Sequence, residues 1–264
     1  MGTDKITIRN QGETEDSGLV NWRGDQVTLP QGGQGVYQAS QIQMARLGSR
    51  KVVGDRVFRY ARAGAGGTIA AGNLMQSPDV NAGEVSVVQT TAGQHNIGDR
   101  TLNLYSSGSV GSGEYNEGYV FVAEGTSPGP MYRIKNHGDI AATATGTLEL
   151  YDVLVTTHTA ADQVTVLRNM YNKVVEAGAT GDVPVGVAPI TVTTNDYFWL
   201  QTWGPCALMN STGTGIIAKG GMAFVGGTGA AQAATAAGTS CSIGYAMALG
   251  TDSEYSPIFL QIAP

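Results

Sequence analysis

Histidine is the side chain whose charge changes nearest neutral pH and the commonest metal ligand, and this chain has three, His95, His137 and His158. No two of them fall at metal-ligand spacing, and neither HExxH nor HxH occurs, so no metal and no cofactor is expected. A Ser-His-Asp relay has no fixed spacing, because its members come from distant segments. The GxSxG nucleophile turn is missing, however, and Ser107-Gly108-Ser109-Val110-Gly111 reads as a flexible loop. Two carboxylates can hydrolyse a glycosidic bond, one as acid and the other as nucleophile or base. Glu114 with Glu117 and Asp252 with Glu254 are the candidate pairs, and both lie among Gly, Ser and Tyr as surface turns do. Asp79 and Asp99 stand outside any DxDxDG calcium loop. Cys206 and Cys241 form no CxxC and have no His nearby; they read as buried free thiols, with one disulfide as the alternative. The expectation is a protein with no catalytic residue.

Two other groups of residues invite a binding role. Arg46, Arg50, Lys51, Arg56, Arg59 and Arg62 are opposed locally only by Asp55. Residues 1–62 carry nine Lys/Arg against six Asp/Glu, a net of +3 in a chain of formal net charge −6, which leaves −9 for the remainder. These cations read either as a solvated face or as a docking segment for an acidic protein surface. Nucleic acid is not expected as a partner, since the rest of the chain would repel it. Tyr197, Phe198, Trp199 and Trp203 form an aromatic cluster, read as core packing with a carbohydrate platform as the rival.

What must position these residues is β-structure. Charged residues make up only 14% of the chain, glycine reaches 38 copies, and the 42% hydrophobic residues come in short patterned runs. That composition suits many short strands joined by tight turns. Alternating runs occur at 57–61, 101–105, 118–122, 131–135, 164–168 and 171–175, and 147–154 suggests a strand with a bulge. Val183, Val185 and Val187 lead to the turn residues Thr193-Thr194-Asn195-Asp196 and then to the aromatic run from Tyr197, which reads as a hairpin. Residues 215–218 and 221–225 are expected to pair across Lys219-Gly220, 226–240 to be a linker, and 241–249 and 257–262 to close the fold around a turn at 251–254.

The expected fold is all-β, a sandwich or barrel of many short antiparallel strands preceded by an extended N-terminal arm. The arm covers 1–50, with two turns of helix expected at 40–47; the β-rich domain covers 51–264, with a subdomain boundary near 125–145 if it divides. Being polar, the arm is expected to gain order by lying on its own domain or on a neighbouring chain. Arg23-Gly24-Asp25 spells the integrin tripeptide, too short a string to imply adhesion. No apolar run approaches the ~18–20 residues that span a bilayer, and the N-terminus lacks an apolar signal region, so neither a membrane partner nor export is expected.

Three segments resemble structural proteins of tailed bacteriophages. The first is Gly54-Asp55-Arg56-Val57-Phe58-Arg59-Tyr60-Ala61-Arg62-Ala63-Gly64 followed by Ala71-Gly72-Asn73-Leu74-Met75-Gln76. The second is Val185-Gly186-Val187-Ala188-Pro189 with Tyr197-Phe198-Trp199-Leu200-Gln201-Thr202-Trp203-Gly204. The third runs from Gly250-Thr251-Asp252-Ser253-Glu254 through Tyr255-Ser256-Pro257-Ile258-Phe259-Leu260. The resemblance implies a capsid decoration or cement protein, a homotrimer seated on the head exterior and assembled in the host cytoplasm, with the major capsid protein as partner. The rival expectations are a tail or fibre component, and a carbohydrate-binding or polysaccharide-active β-sandwich protein.

Overall fold

The structure, a computed structural model, describes residues 13–15, 33–79, 83, 85–89, 95–125, 127–178, 183–211, 217–233 and 241–264. In chain order the strands are β1 (Glu13–Glu15), β2 (Arg50–Val53), β3 (Arg56–Ala63), β4 (Leu74–Gln76), β5 (Val87–Val88) and β6 (Thr101–Ser106). β7 (Tyr119–Glu124), β8 (Met131–His137), β9 (Ala144–Leu150), β10 (Gln163–Leu167), β11 (Asn172–Glu176) and β12 (Pro184–Val187) follow. β13 (Tyr197–Met209), β14 (Met222–Val225), β15 (Ala231–Gln232), β16 (Ser242–Ala246) and β17 (Tyr255–Gln261) complete the chain. The fold is all-β. The described residues contain no α-helix, and 40–47, with Ile42 and Leu47 too poorly spaced for an apolar helical face, forms bends and turns instead.

The chain divides into two compact units, Met1–Pro78 with Tyr171–Pro264, and Asp79–Met170 between them. The divisions thus fall at 78/79 and 170/171 rather than near 125–145. A strand pattern read locally gives no hint of them, because unit 1 is completed by strands that follow the inserted unit.

Unit 1 is an eleven-stranded sheet in the order β1-β2-β3-β11-β4-β12-β13-β17-β16-β14-β15. β3 also pairs with β13, so that β3, β11, β4, β12 and β13 close into a barrel-like ring. All its pairings are antiparallel except β3 with β11. The expected hairpin between 183–187 and the aromatic strand is reduced to one register pair, Val187 with Gln201. β13 is instead shared: residues 197–203 pair with β3 and residues 203–209 with β17. The turn chemistry before it holds, with Asn195 at φ 67 and the Asp196 N–H donating to Thr193 O at 3.2 Å. Ile217 and Ala218 lie outside any strand, since β14 takes β15 and β16 as neighbours. Within the supposed linker 226–240, Ala231–Gln232 forms β15. Both cysteines are free, but Cys206 is only half-buried and Cys241 is exposed. Burial of the Cys206 thiol among apolar neighbours still pushes its pKa up to about 12.

Strand β3 is buried on both of its faces, which explains why it repeats as RVFRYARA rather than alternating cleanly between apolar and polar. Phe58, Tyr60, Phe198, Trp199 and Leu200 belong to one core, into which Val36 and Leu47 also pack. Residues 33–50 therefore belong to the folded unit and not to an arm. Of the earlier residues, Glu13–Glu15 pairs with β2, and the rest of the expected arm, Arg23-Gly24-Asp25 included, lies outside the described residues. Gln34 fastens this stretch. Its Nε2 donates to Gln38 O at 2.6 Å and Tyr197 O at 2.7 Å, and its Oε1 accepts the Tyr60 hydroxyl at 2.6 Å. Its backbone carbonyl accepts Trp199 Nε1–H at 2.9 Å.

Unit 2 is a six-stranded antiparallel sheet, β5-β10-β7-β8-β9-β6. Leu104, Ile134, Leu148, Leu150 and Val166 lie in its separate core. Strands alternate as their sequences predict; Leu102 and Leu104 are buried between half-exposed neighbours.

Replacing Gln34 by Leu removes the acceptor of the Tyr60 hydroxyl proton and one of two donors to Tyr197 O, while Met44 N–H still donates to the Tyr60 oxygen and Ser40 N–H to Tyr197 O, a loss of about 1–3 kcal/mol. The expected result is a fall in Tm of roughly 2–4 °C for each kcal/mol lost. An unchanged Tm would show that residues 33–50 are not fastened by this side chain.

Candidate functional site

The six cations singled out in the sequence do not form one basic patch. Register pairs Arg50 with Arg59 and Lys51 with Phe58, and alternation along β3 sends Arg56 and Arg62 to the face opposite Arg59. Lys51 is only 7% exposed. Its ammonium lies 5.5 Å from the Trp199 ring centroid and donates to Gln34 O at 3.4 Å, a cation–π contact inside the fold. Arg59 donates to Gly48 O at 3.2 Å and Pro264 O at 3.0 Å, tying the chain's end to β3. Arg62 reaches Asn195 O at 3.3 Å over the Tyr197 ring. Arg56 donates to the Tyr37 hydroxyl at 2.7 Å and lies over the Tyr37 and Phe58 rings. Arg46 is exposed and Arg50 half-exposed. Of the six, only Arg56 and Arg62 have guanidiniums resting on aromatic rings at the surface, and Lys51 is withdrawn into the fold.

The aromatic cluster also divides. Trp199 meets Tyr60 edge-on at 4.9 Å and Tyr197 stacks on Tyr60 at 6.0 Å, while Phe198 is buried beside them. These three are core. Trp203 is half-buried at the far side of a register shift and meets Phe259 edge-on at 5.9 Å.

The carboxylate pairs are turn fixtures. Glu114 Oε1 accepts from Arg168, whose guanidinium lies 5.7 Å from the Tyr115 ring centroid, and Oε2 caps Gly111 N–H at 3.0 Å. Glu117 sits in a turn at φ 63. Asp252 and Glu254 are exposed in the turn before β17. Nearby, His137 is buried with both nitrogens engaged: Nδ1–H donates to Gly138 O at 2.8 Å and Nε2 accepts Tyr115 N–H at 2.9 Å.

Sequence spacing did not reveal that His95 and His158 are cross-strand partners. Their backbones exchange N–H···O bonds of 3.0 and 2.9 Å. His95 Nε2 accepts Asn103 N–H at 3.2 Å. His158 Nε2 lies 3.3 Å from Thr156 Oγ1 and Nδ1 lies 3.5 Å from Asp162 Oδ2. Hydroxyl, imidazole and carboxylate follow the order of a hydrolytic relay. Yet His158 is only 3% exposed, Asp162 Oδ2 already caps Thr159 N–H at 2.9 Å, and the Thr156 hydroxyl meets Tyr132 Oη at 3.4 Å. These contacts tie the 156–162 turn to itself and to Tyr132. Among the described residues no group of three His, Cys, Asp or Glu could hold a metal ion, and no helix is long and apolar enough to cross a membrane.

No family model matches the chain, and neither does any curated protein or solved structure with which it was compared.

Burial pushes His95 and His158 below the ordinary imidazole value; Asp99 and Asp162 pull the two back in part, and His95 lowers His158 further. The unfolded chain therefore binds the proton more readily than the folded one. This contribution to stability is complete above the unfolded value near ~6.5 and declines as pH falls through it toward the folded values. Wild type should lose stability between pH 7.5 and pH 5 more steeply than the His95→Gln/His158→Gln double variant in urea melts. Parallel profiles would remove the two imidazoles as the cause.

Proposed function

We propose that the chain is a non-enzymatic virion structural protein of a tailed bacteriophage, a decoration or cement protein. It binds the outer surface of the head as a homotrimer and stabilises the shell by adding interface between capsid subunits. The observation that carries this reading is where the resembling segments fall. They supply β3 and β4, then β12 and the first half of β13, then β17. In the sheet of unit 1 these strands are neighbours, interrupted only by β11. Fragments far apart in sequence thus form one contiguous body, which supports reading them as parts of one shared scaffold.

The chemistry of that body suits a cement. The part of its sheet around β3 and the start of β13 is packed on both faces, and among the described residues its titratable groups serve turns and strand ends rather than converging on a substrate. A specific interface buries on the order of 800 Å² per partner, which residues 1–32 and the face carrying Arg56 and Arg62 would share with the major capsid protein. Ordering an arm costs about 1–2 kcal/mol per residue of backbone entropy, so head binding draws on trimer avidity. The net charge of −6 disfavours nucleic acid.

Co-sedimentation with heads assembled from the major capsid protein of the same virus tests the proposal. The full chain should bind saturably, and deletion of residues 1–32 should weaken binding about tenfold or more, at least 1.4 kcal/mol. The deletion stops at 32 because removing Gln34 would unfasten the core. Equal binding by the shortened chain would remove the arm from the mechanism. Failure of the full chain to bind heads, with recovery on tails instead, would replace decoration by the tail-component reading.

A further inference from the structure

The second half of unit 1's sheet presents an outward face of unusual composition. The strands β14, β16 and β17 and residues 203–209 of β13 contain no Asp, Glu, Lys or Arg. Their inner face, with Leu208, Ile258, Leu260, Ala223 and Val225, is a buried core. The outer face is apolar as well. Register aligns Met222 with Tyr245, Tyr245 with Phe259, and Phe259 with Pro205 in one row across four strands; Pro257 and Ala207 pair in the next. Met222 is 57% exposed and Tyr245 38%. A half-solvated antiparallel sheet ordinarily alternates apolar-in with polar-out, and here the outward positions carry no ionised side chain, with Gln261 opposite Trp203 at the end of the row.

We infer that this face is the surface through which copies of the chain associate with one another, which rests on the homotrimer of the proposed function and locates its contact. Three observations select a second copy as occupant. The first is charge. Two copies each carrying a net −6 repel where their ionised surfaces meet, and a face without ionised side chains avoids setting like charges opposite each other. An acidic or basic partner would find nothing to pair with here.

The second is size and pattern. Twenty-three strand residues at about 3.3 Å rise and about 4.8 Å spacing cover on the order of 350 Å² in plan, to which projecting rings add. That is the apolar centre of an interface of about 800 Å² per copy, which needs a polar rim. Lys219 lies in the turn before β14, and Asp252 and Glu254 lie in the turn before β17. The third is ring geometry. Tyr245 and Phe259 are stacked on each other at 5.2 Å and 10°, and Trp203 meets Phe259 edge-on. Their faces are occupied by one another rather than laid flat side by side, so they form a ridge for interdigitation and not a platform on which a saccharide ring stacks.

The test is native mass by size-exclusion chromatography with light scattering across a dilution series. Wild type should run as a trimer of the 27.3 kDa chain. Tyr245→Lys and, independently, Met222→Lys should run as monomers with an unchanged circular dichroism spectrum, two variants guarding against a local misfold in either. Val155→Lys, which replaces an apolar residue 59% exposed on unit 2, should keep the wild-type mass. Both face variants retaining the trimer would overturn the inference while leaving the decoration reading standing. A wild-type monomer at every concentration would overturn self-association altogether, with head co-sedimentation then deciding separately on decoration. Loss of polysaccharide retention in Tyr245→Lys, with mass unchanged, would assign the face to a saccharide and overturn it equally.

Discussion

Pairing of β3 with β13 is the constraint on which unit 1 depends. Those strands are separated by more than 130 residues of chain, and an entire second unit lies between them in sequence. Bringing them together closes the β3-β11-β4-β12-β13 ring and places Tyr60 opposite Trp199. Only once those two rings meet is there a site for Gln34, whose side chain and carbonyl accept from both. The loop-closure entropy of so distant a contact grows only slowly with length, which is why the chain tolerates a whole folded unit inserted between the partners.

The same pairing decides what the basic segment can do. Alternation divides the cations of β2 and β3 between two faces, and Lys51, Arg56, Arg59 and Arg62 are held by carbonyls, a hydroxyl, an amide oxygen or aromatic rings. Lys51 is the extreme case. Burying an ammonium is costly unless its charge is compensated, and here the Trp199 ring and the Gln34 carbonyl share that role. A cation used to hold the fold is withdrawn from any partner. The guanidiniums of Arg56 and Arg62, resting on Tyr37, Phe58 and Tyr197, are preorganised, so less rotamer entropy would be lost on docking.

Beyond residue 203, β13 leaves β3 and joins β17, and the character of the sheet changes. Gly204, at φ 88, marks the crossing: a Cβ there would lie 2.5 Å from Asp55 O, so the backbone of the β2–β3 turn approaches closely only because no side chain is present. On one side of this point the sheet is sealed by residues 33–50. On the other it shows Tyr245, Phe259 and Met222 outward without charged neighbours in their strands. One strand thus carries both the innermost packing of the unit and the edge of its most apolar surface.

The sequence by itself determined the all-β class, most strand positions and the turn at 193–196, because alternation and the preferences of Gly, Asn and Asp act over a few residues. It identified the carboxylate pairs as turn residues for the same reason. It could not determine which strands pair. The hairpin expected at 183–209 holds as a short antiparallel contact of β12 with β13, whose longer pairings are with β3 and β17; the helix at 40–47 gave way to turns, and the dividing points fall at 78/79 and 170/171. His95 and His158, or the two faces of the basic segment, are likewise invisible to spacing. Pairing, burial and proximity depend on which distant segments reduce exposed apolar area and unpaired backbone groups together, and only the tertiary structure makes that choice.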